Sequence, residues 1–219
     1  MPSCVLTKPC LNRFSGGAVL NPGLAMKRTL DVALSVAALI ALTPLFAAIL
    51  LMVRLDSSGP ALYRSRRAGK NGRIFTCYKF RTMRADADEI KPLLRSRNER
   101  KGPFFKIAAD PRVTRVGRLL RRYSLDEIPQ FWNVVRGEMS LVGPRPHPLD
   151  DVERYQAEHF LRLQVRPGMT GLWQVSARSD PSFQRSMALD SEYIERWSLG
   201  LDVRILFRTL PTVLQGSGT

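Results

Sequence analysis

The chain has 219 residues, a formal net charge of +15 and a sequence pI of about 10.7. That length holds one ordinary domain, or one domain with an anchor, and excludes a large multidomain assembly. The cationic surplus calls for an anionic partner: nucleic acid, anionic lipid head groups or phosphorylated substrates. Cys4, Cys10 and Cys77 are odd in number and lack metal spacing, which argues for a reduced, cytoplasm-facing environment.

Residues 1–24 carry Pro2, Pro9, Gly16, Gly17 and Pro22 without periodicity and read as a disordered N-terminal tail. Residues 25–55 form a membrane element, with Val32 to Val53 uncharged and apolar. A helix needs roughly 20 such residues to cross a bilayer core. Lys27 and Arg28 precede the run, and Arg54, Arg64, Arg66 and Arg67 follow it, so neither flank favours translocation. Pro44 should kink the helix, and the Thr43 hydroxyl can satisfy a freed backbone group. A re-entrant helix-break-helix is the leading reading. A spanning helix and a buried soluble core helix are the alternatives. The run is longer than a signal-peptide core, and no small-residue cleavage pattern follows it.

Residues 56–219 read as one cytoplasmic catalytic domain, helix-rich α+β with a small β-hairpin. Ala61–Arg67 and Arg73–Arg81 are predicted strands around the Asn71-Gly72 turn. Ala85–Arg100 is a charged helix or loop interrupted by Pro92. Gly117–Arg122 and Leu125–Arg136 are predicted helices, the latter from Leu125, Ile128, Phe131, Trp132 and Val135 near helical spacing. Gly143–Pro148 is an extended loop, because its three prolines exclude regular ladders. Asp151–Leu163 is predicted helix, and Arg166–Gly171 a turn-rich loop. Met187–Trp197 and Asp202–Leu214 are amphipathic helices; the second suits a membrane interface or an ordinary core.

Asp126 and Glu127 stand among Arg112, Arg115, Arg118, Arg121 and Arg122 upstream and Arg136 and Arg145 downstream. Ser124 to Glu127 reads plainly as a capping box. The same turn would also present a carboxylate held ionised by arginines and a helix dipole, competent as a nucleophile toward a phosphoryl group. Magnesium would offset repulsion between carboxylate and diphosphate, with arginines clamping the other oxygens. Lys79 and Arg81 close the second strand, where a solvated face is the simpler reading. His147, between prolines, is a weak candidate base, and His159 reads as structural.

These segments resemble the bacterial sugar transferase family, the monotopic phosphoglycosyl transferases. The resemblance rests on Lys27-Arg28-x-x-Asp31, Thr43-Pro44, Asp56-Ser57-x-Gly59-Pro60, Tyr78 to Met83, Asp110 to Thr114, Ser124 to Gln130, Gly143 to Pro146, Arg166 to Gly171, Trp173 to Ser176 and Trp197 to Leu199. It covers residue 25 to the end, and so many ordered segments are specific together. It implies transfer of a sugar 1-phosphate, glucose or galactose, from a UDP-sugar to undecaprenyl phosphate. UMP would leave, in the first membrane step of exopolysaccharide or capsule synthesis. It implies Asp126 as nucleophile, with Glu127 holding Mg2+ or positioning the acceptor. Arg121 and Arg145 match positions associated with substrate phosphates; Arg112, Lys79 and Arg81 join them as candidates. It also implies the cytoplasmic face of the bacterial inner membrane, with membrane lipids as partners and the choice between monomer and homo-oligomer left open. The sequence departs from the family pattern at Thr43, where many relatives carry serine, and at Ala177, where glycine is expected. The alternatives are a membrane-tethered nucleic-acid-binding protein and a non-catalytic polysaccharide-assembly partner. No nucleic-acid motif or aromatic stacking platform supports the former.

Overall fold

The structure, a computed structural model, describes residues 22–99, 107, 109–177, 180 and 182–216. The expected tail to residue 21 lies outside them. Helix α1 (Pro22–Ala41) begins inside the expected tail and is followed by α2 (Thr43–Asp56) at a bend of 63°. Pro44 lacks an N–H, and its ring crowds the carbonyl four residues back, which breaks the ladder there. Thr43 Oγ1 donates to the Leu39 carbonyl at 2.8 Å. Among the described residues no single helix is long and apolar enough to cross a membrane, although the bent pair together meets that test.

The outward faces of the pair expose Leu30, Leu34, Ile40, Leu51 and Leu55. The inward face of α1 is polar and docked. Asp31 accepts the Leu141 N–H at 3.1 Å, and Arg28 donates to the carbonyls of Val134 at 2.7 Å and Val135 at 3.0 Å. Lys27 donates to Asp202 at 2.6 Å and to the Val142 carbonyl at 3.0 Å. The Lys27–Arg28 pair therefore does more than flank an apolar run.

Strands β1 (Leu62–Ala68) and β2 (Ile74–Phe80) form the expected antiparallel hairpin, Leu62 facing Phe80 and Ala68 facing Ile74. Its loop is longer than a two-residue turn: Lys70–Gly72 is a 3₁₀ turn, with Asn71 at φ 55° and Gly72 at φ 70°. Phe75 and Cys77 share one face of β2 and enter the core. Lys79 is next on that face by the two-residue period. Phe80, on the other face, packs with Ile49 and Val53 of α2. Each such burial contributes about 2 kcal/mol. The apolar pair of helices is thus partly built into the domain core.

Beyond the hairpin, α3 (Ala87–Ile90) gives way to a 3₁₀ run, Lys91–Arg97, where Pro92 prevents a regular helix. Helix α4 (Arg115–Arg122) is capped by Thr114, whose hydroxyl accepts the Gly117 N–H. The expected helix from Leu125 to Arg136 is instead a 3₁₀ turn, Leu125–Glu127, followed by α5 (Gln130–Val135). Pro129 between them cannot donate and would clash within a continuous helix. Strand β3 (Ser140–Val142) pairs in parallel with β4 (Gly168–Thr170), inside a segment expected to be a loop. Glycine permits this approach, since a Cβ on Gly168 would lie 2.1 Å from the Gly143 nitrogen.

The predicted helix over Asp151–Leu163 divides into α6 (Leu149–Val152) and a 3₁₀ segment, Ala157–Gln164. His159 packs edge-on against Tyr155 and Phe183, as the structural reading expected. Helix α7 (Leu172–Ser176) ends at Ala177, whose φ of −145° needs no glycine. Helices α8 (Phe183–Glu195) and α9 (Leu199–Leu214) complete the chain's helix-rich α+β architecture. Among the described residues, two two-stranded sheets supply its β component. On α9, Val203, Phe207, Leu210 and Leu214 are exposed.

Candidate active site

Lys79 leaves the end of β2 and meets the 3₁₀ turn that carries the acidic pair. Its Nζ lies 2.6 Å from Glu127 Oε1 and 3.7 Å from Asp126 Oδ2. Arg145 Nη2 donates to the same Glu127 oxygen at 2.7 Å. Asn133 sets the spacing between strand and turn. Its Oδ1 accepts the Tyr78 N–H at 3.1 Å, and its Nδ2 donates to the Thr76 carbonyl at 2.7 Å. One fully buried amide thus acts as a neighbouring strand to β2 and ties it to α5.

The carboxylates have different environments. Burial alone would raise the Glu127 pKa, but Arg145 and Lys79 outweigh it and hold that group ionised, well below the usual range. Burial raises the Asp126 pKa, against the opposing pull of Lys79. The expected pull of the arginines on Asp126 is present, through Arg121 and Arg145, and burial acts against it. The turn is three residues long and supplies no α-helix N-terminus, and desolvation dominates. Ser124 does not cap it by its side chain: it sits at φ 54°, ψ 22°. That left-handed conformation costs a non-glycine residue about 1–2 kcal/mol. It turns the chain so that Asp126 lines the cleft. Among the described residues the Asp126 carboxylate accepts no hydrogen bond, so its oxygens stay available.

Arg121 approaches from α4. Its Nε donates to Thr82 Oγ1 at 2.9 Å, and its charge acts on Asp126. Gly117 allows this approach, because a Cβ there would lie 2.1 Å from the Thr82 carbonyl oxygen. Burial lowers the Arg121 pKa, although the group stays cationic. Arg81 and Arg112 line the same cleft with their forks on protein partners. Arg81 donates to the carbonyls of Ser57 at 2.6 Å and Ser58 at 2.7 Å, just beyond α2. Arg112 grips Asp110, with its Nη2 2.6 Å from Oδ2. His147 is buried and bonded through Nδ1 to the Tyr155 hydroxyl at 2.5 Å.

The cleft has a volume of about 1860 Å³. Lys79, Arg121, Asp126, Glu127 and Arg145 line its charged part, and Leu34, Leu45, Phe207 and Leu210 line an apolar part between the bent helices and α9. It therefore offers a cationic anion site continuous with an apolar wall. Among the described residues no three metal-ligating side chains gather. Two adjacent carboxylates still suit magnesium, which takes one or two carboxylates and completes its shell with water and substrate phosphates. Sequence reasoning missed Ser124's conformation and the amide bridge of Asn133, for which no local pattern exists.

Residues 23–216 match the family model for bacterial sugar transferases. The chain is 43% identical to the exopolysaccharide production protein ExoY of Sinorhizobium fredii, over 93% of this chain and 92% of that protein. It is 43% identical to the undecaprenyl-phosphate galactose phosphotransferase of Salmonella typhimurium, over 88% of this chain and 41% of that longer protein. It is also 43% identical to the UDP-glucose:undecaprenyl-phosphate glucose-1-phosphate transferase of Caulobacter vibrioides, over 86% of this chain and 69% of its relative. With residues 23–216 matched, and the motifs around Lys79, Asp126 and Arg145 assembled at one cleft, this protein belongs to the bacterial sugar transferase family.

Proposed function

We propose that the protein transfers a hexose 1-phosphate, from UDP-glucose or UDP-galactose, to undecaprenyl phosphate and releases UMP. The observation that carries this reading is the available Asp126 carboxylate beside the Lys79–Glu127–Arg145 cage, in a cleft that also has an apolar wall. A charged nucleotide sugar and a phosphorylated lipid need that combination.

Asp126 attacks the sugar-proximal phosphorus. A carboxylate–phosphorus bond forms, the bond to the bridging oxygen breaks, and UMP departs with that oxygen. An oxygen of undecaprenyl phosphate then attacks the same phosphorus and frees Asp126. Arg121, Arg145 and Lys79 stabilise charge on the phosphoryl oxygens. Arg81 and Arg112 support the cleft wall through their protein partners. Asp126 and Glu127 would hold Mg2+ together with the diphosphate, and the ion would neutralise charge between nucleophile and donor.

The bent helices lie in the cytoplasmic membrane as a re-entrant element, and α9 rests at its interface. The exposed leucines of α1 and α2 and the apolar face of α9 support that placement. Residues 56–219 then work at the cytoplasmic face in exopolysaccharide or capsule synthesis. The test is a donor screen with undecaprenyl phosphate and the purified protein. UMP and lipid-linked sugar should appear together for one UDP-hexose. Absence of both with every donor, from folded protein, would refute the reading.

A further inference from the structure

We infer that Arg162 and Asp190, buried and outside the cleft, are positioning residues that aim Arg145 at Glu127. This rests on the phosphate-binding role just proposed for Arg145.

Arg162 and Asp190 are 6% and 4% exposed. Nε and Nη2 of Arg162 donate to Asp190 Oδ2 at 3.1 and 2.8 Å. A buried ion pair is weak evidence of stabilisation, because desolvation offsets much of its attraction. The remaining donors of Arg162 point to another role. Nη2 donates to the Arg145 carbonyl at 2.6 Å, and Nη1 donates to the Tyr155 hydroxyl at 2.5 Å. That hydroxyl bonds His147.

The segment so gripped runs from Gly143 to Pro148. Pro144, Pro146 and Pro148 have no N–H, so the segment cannot hold itself in a ladder. Its shape must be imposed from outside. Gly168 donates to the Pro144 carbonyl at 2.9 Å and Arg67 to that of Pro146 at 3.4 Å. The contact at Arg145 is shorter than either. Arg162 thus fixes the Arg145 main chain directly and His147 through Tyr155. From that main chain the Arg145 side chain reaches Glu127 Oε1 at 2.7 Å. Asp190, on α8, orients the fork that makes both contacts. Bidentate phosphate contacts tolerate little displacement, and misplacement by about 1 Å can cost on the order of 100-fold in rate.

The experiment is a double-mutant cycle of Arg162→Gln and Arg145→Ala in the full-length protein. UDP-sugar affinity is read by calorimetry, which needs no turnover, and kcat/KM is read for the single Arg162 variant. Arg162→Gln should weaken binding by about tenfold and lower kcat/KM by up to about 100-fold. In the Arg145→Ala background the same substitution should change affinity by less than about twofold. Additive losses would overturn the inference, because Arg162 would then act independently of Arg145. An Arg162→Gln protein with unchanged affinity and kcat/KM would overturn it too. If that variant does not fold, Asp190→Asn, nearly isosteric, replaces it in the same cycle with the same criteria. A wild-type protein that binds no UDP-sugar defeats the proposed function instead, which separates the two failures.

Discussion

Lys27 Nζ donates to Asp202 Oδ2 across 2.6 Å, joining positions 175 residues apart. Tyr193 and the Trp197 indole also donate to Asp202, at 2.8 and 3.2 Å. The start of the bent helix pair is therefore bolted to α9. Lys27→Met should cost about 3 kcal/mol, because a buried carboxylate loses its counter-ion. Adding Asp202→Leu should recover part of that loss. Thermal unfolding in detergent reads both, and an unchanged midpoint for Lys27→Met would show that the bolt carries no stability.

Pro44→Ala should reduce the 63° bend between α1 and α2 and allow part of the population to span. Maleimide labelling in intact cells reads the topology. Cys4 and Cys10 report the tail, and a cysteine added after Gly218 reports the other end. In the wild type both ends should stay unlabelled until permeabilisation. Labelling of Cys4 or Cys10 in intact wild-type cells would sink the re-entrant placement.

Asp126→Asn should abolish UMP release and any covalent phospho-sugar adduct, with folding retained. Near-wild-type turnover, after deamidation is excluded by mass spectrometry, would remove Asp126 from the mechanism. The pH profile offers an independent check. Burial raises the Asp126 pKa, and attack requires the ionised form, so turnover should fall as pH drops through a value above the usual aspartate of about 3.9. Lys79 lowers that pKa. Lys79→Met should therefore move the acidic limb to still higher pH.

Chelation should stop turnover, and added magnesium should restore it, since two carboxylates must approach a diphosphate. Full activity in excess EDTA would dismiss the metal.

Ser124 holds φ 54° beside Asp126. Ser124→Gly adopts that conformation without strain and should keep most activity. Ser124→Val should lose at least about 1 kcal/mol in unfolding and most turnover. Equal activity of the two variants would show that the turn geometry does not matter.

Much of the layout was legible in the chain. An uncharged run broken by Thr43-Pro44 predicts two helices with a bend, because proline's missing N–H is a local property. The hairpin was equally readable, since alternation and Asn71-Gly72 act within a few residues. The expected helix through Leu125–Arg136 breaks at Pro129, where the missing N–H and the ring override apolar spacing. The β3–β4 pairing and the broken Asp151–Leu163 segment were hidden. A three-residue strand has no readable period, and the 3₁₀ turn follows the packing of His159 and the reach of Arg162 to Asp190.

The sequence alone determined the acidic pair, the arginine-rich neighbourhood and the family, because motif order and residue type are linear properties. Tertiary structure decided which carboxylate is tied and which is available. Charge counts treat Asp126 and Glu127 alike; only their placement puts Lys79 and Arg145 on a single Glu127 oxygen and leaves Asp126 facing the cleft. It also turned Lys27 and Arg28 from flanking charges into bonds with Asp202 and the α5 carbonyls. Such roles depend on distance and desolvation between residues far apart in the chain, and neither quantity is written in the order of the amino acids.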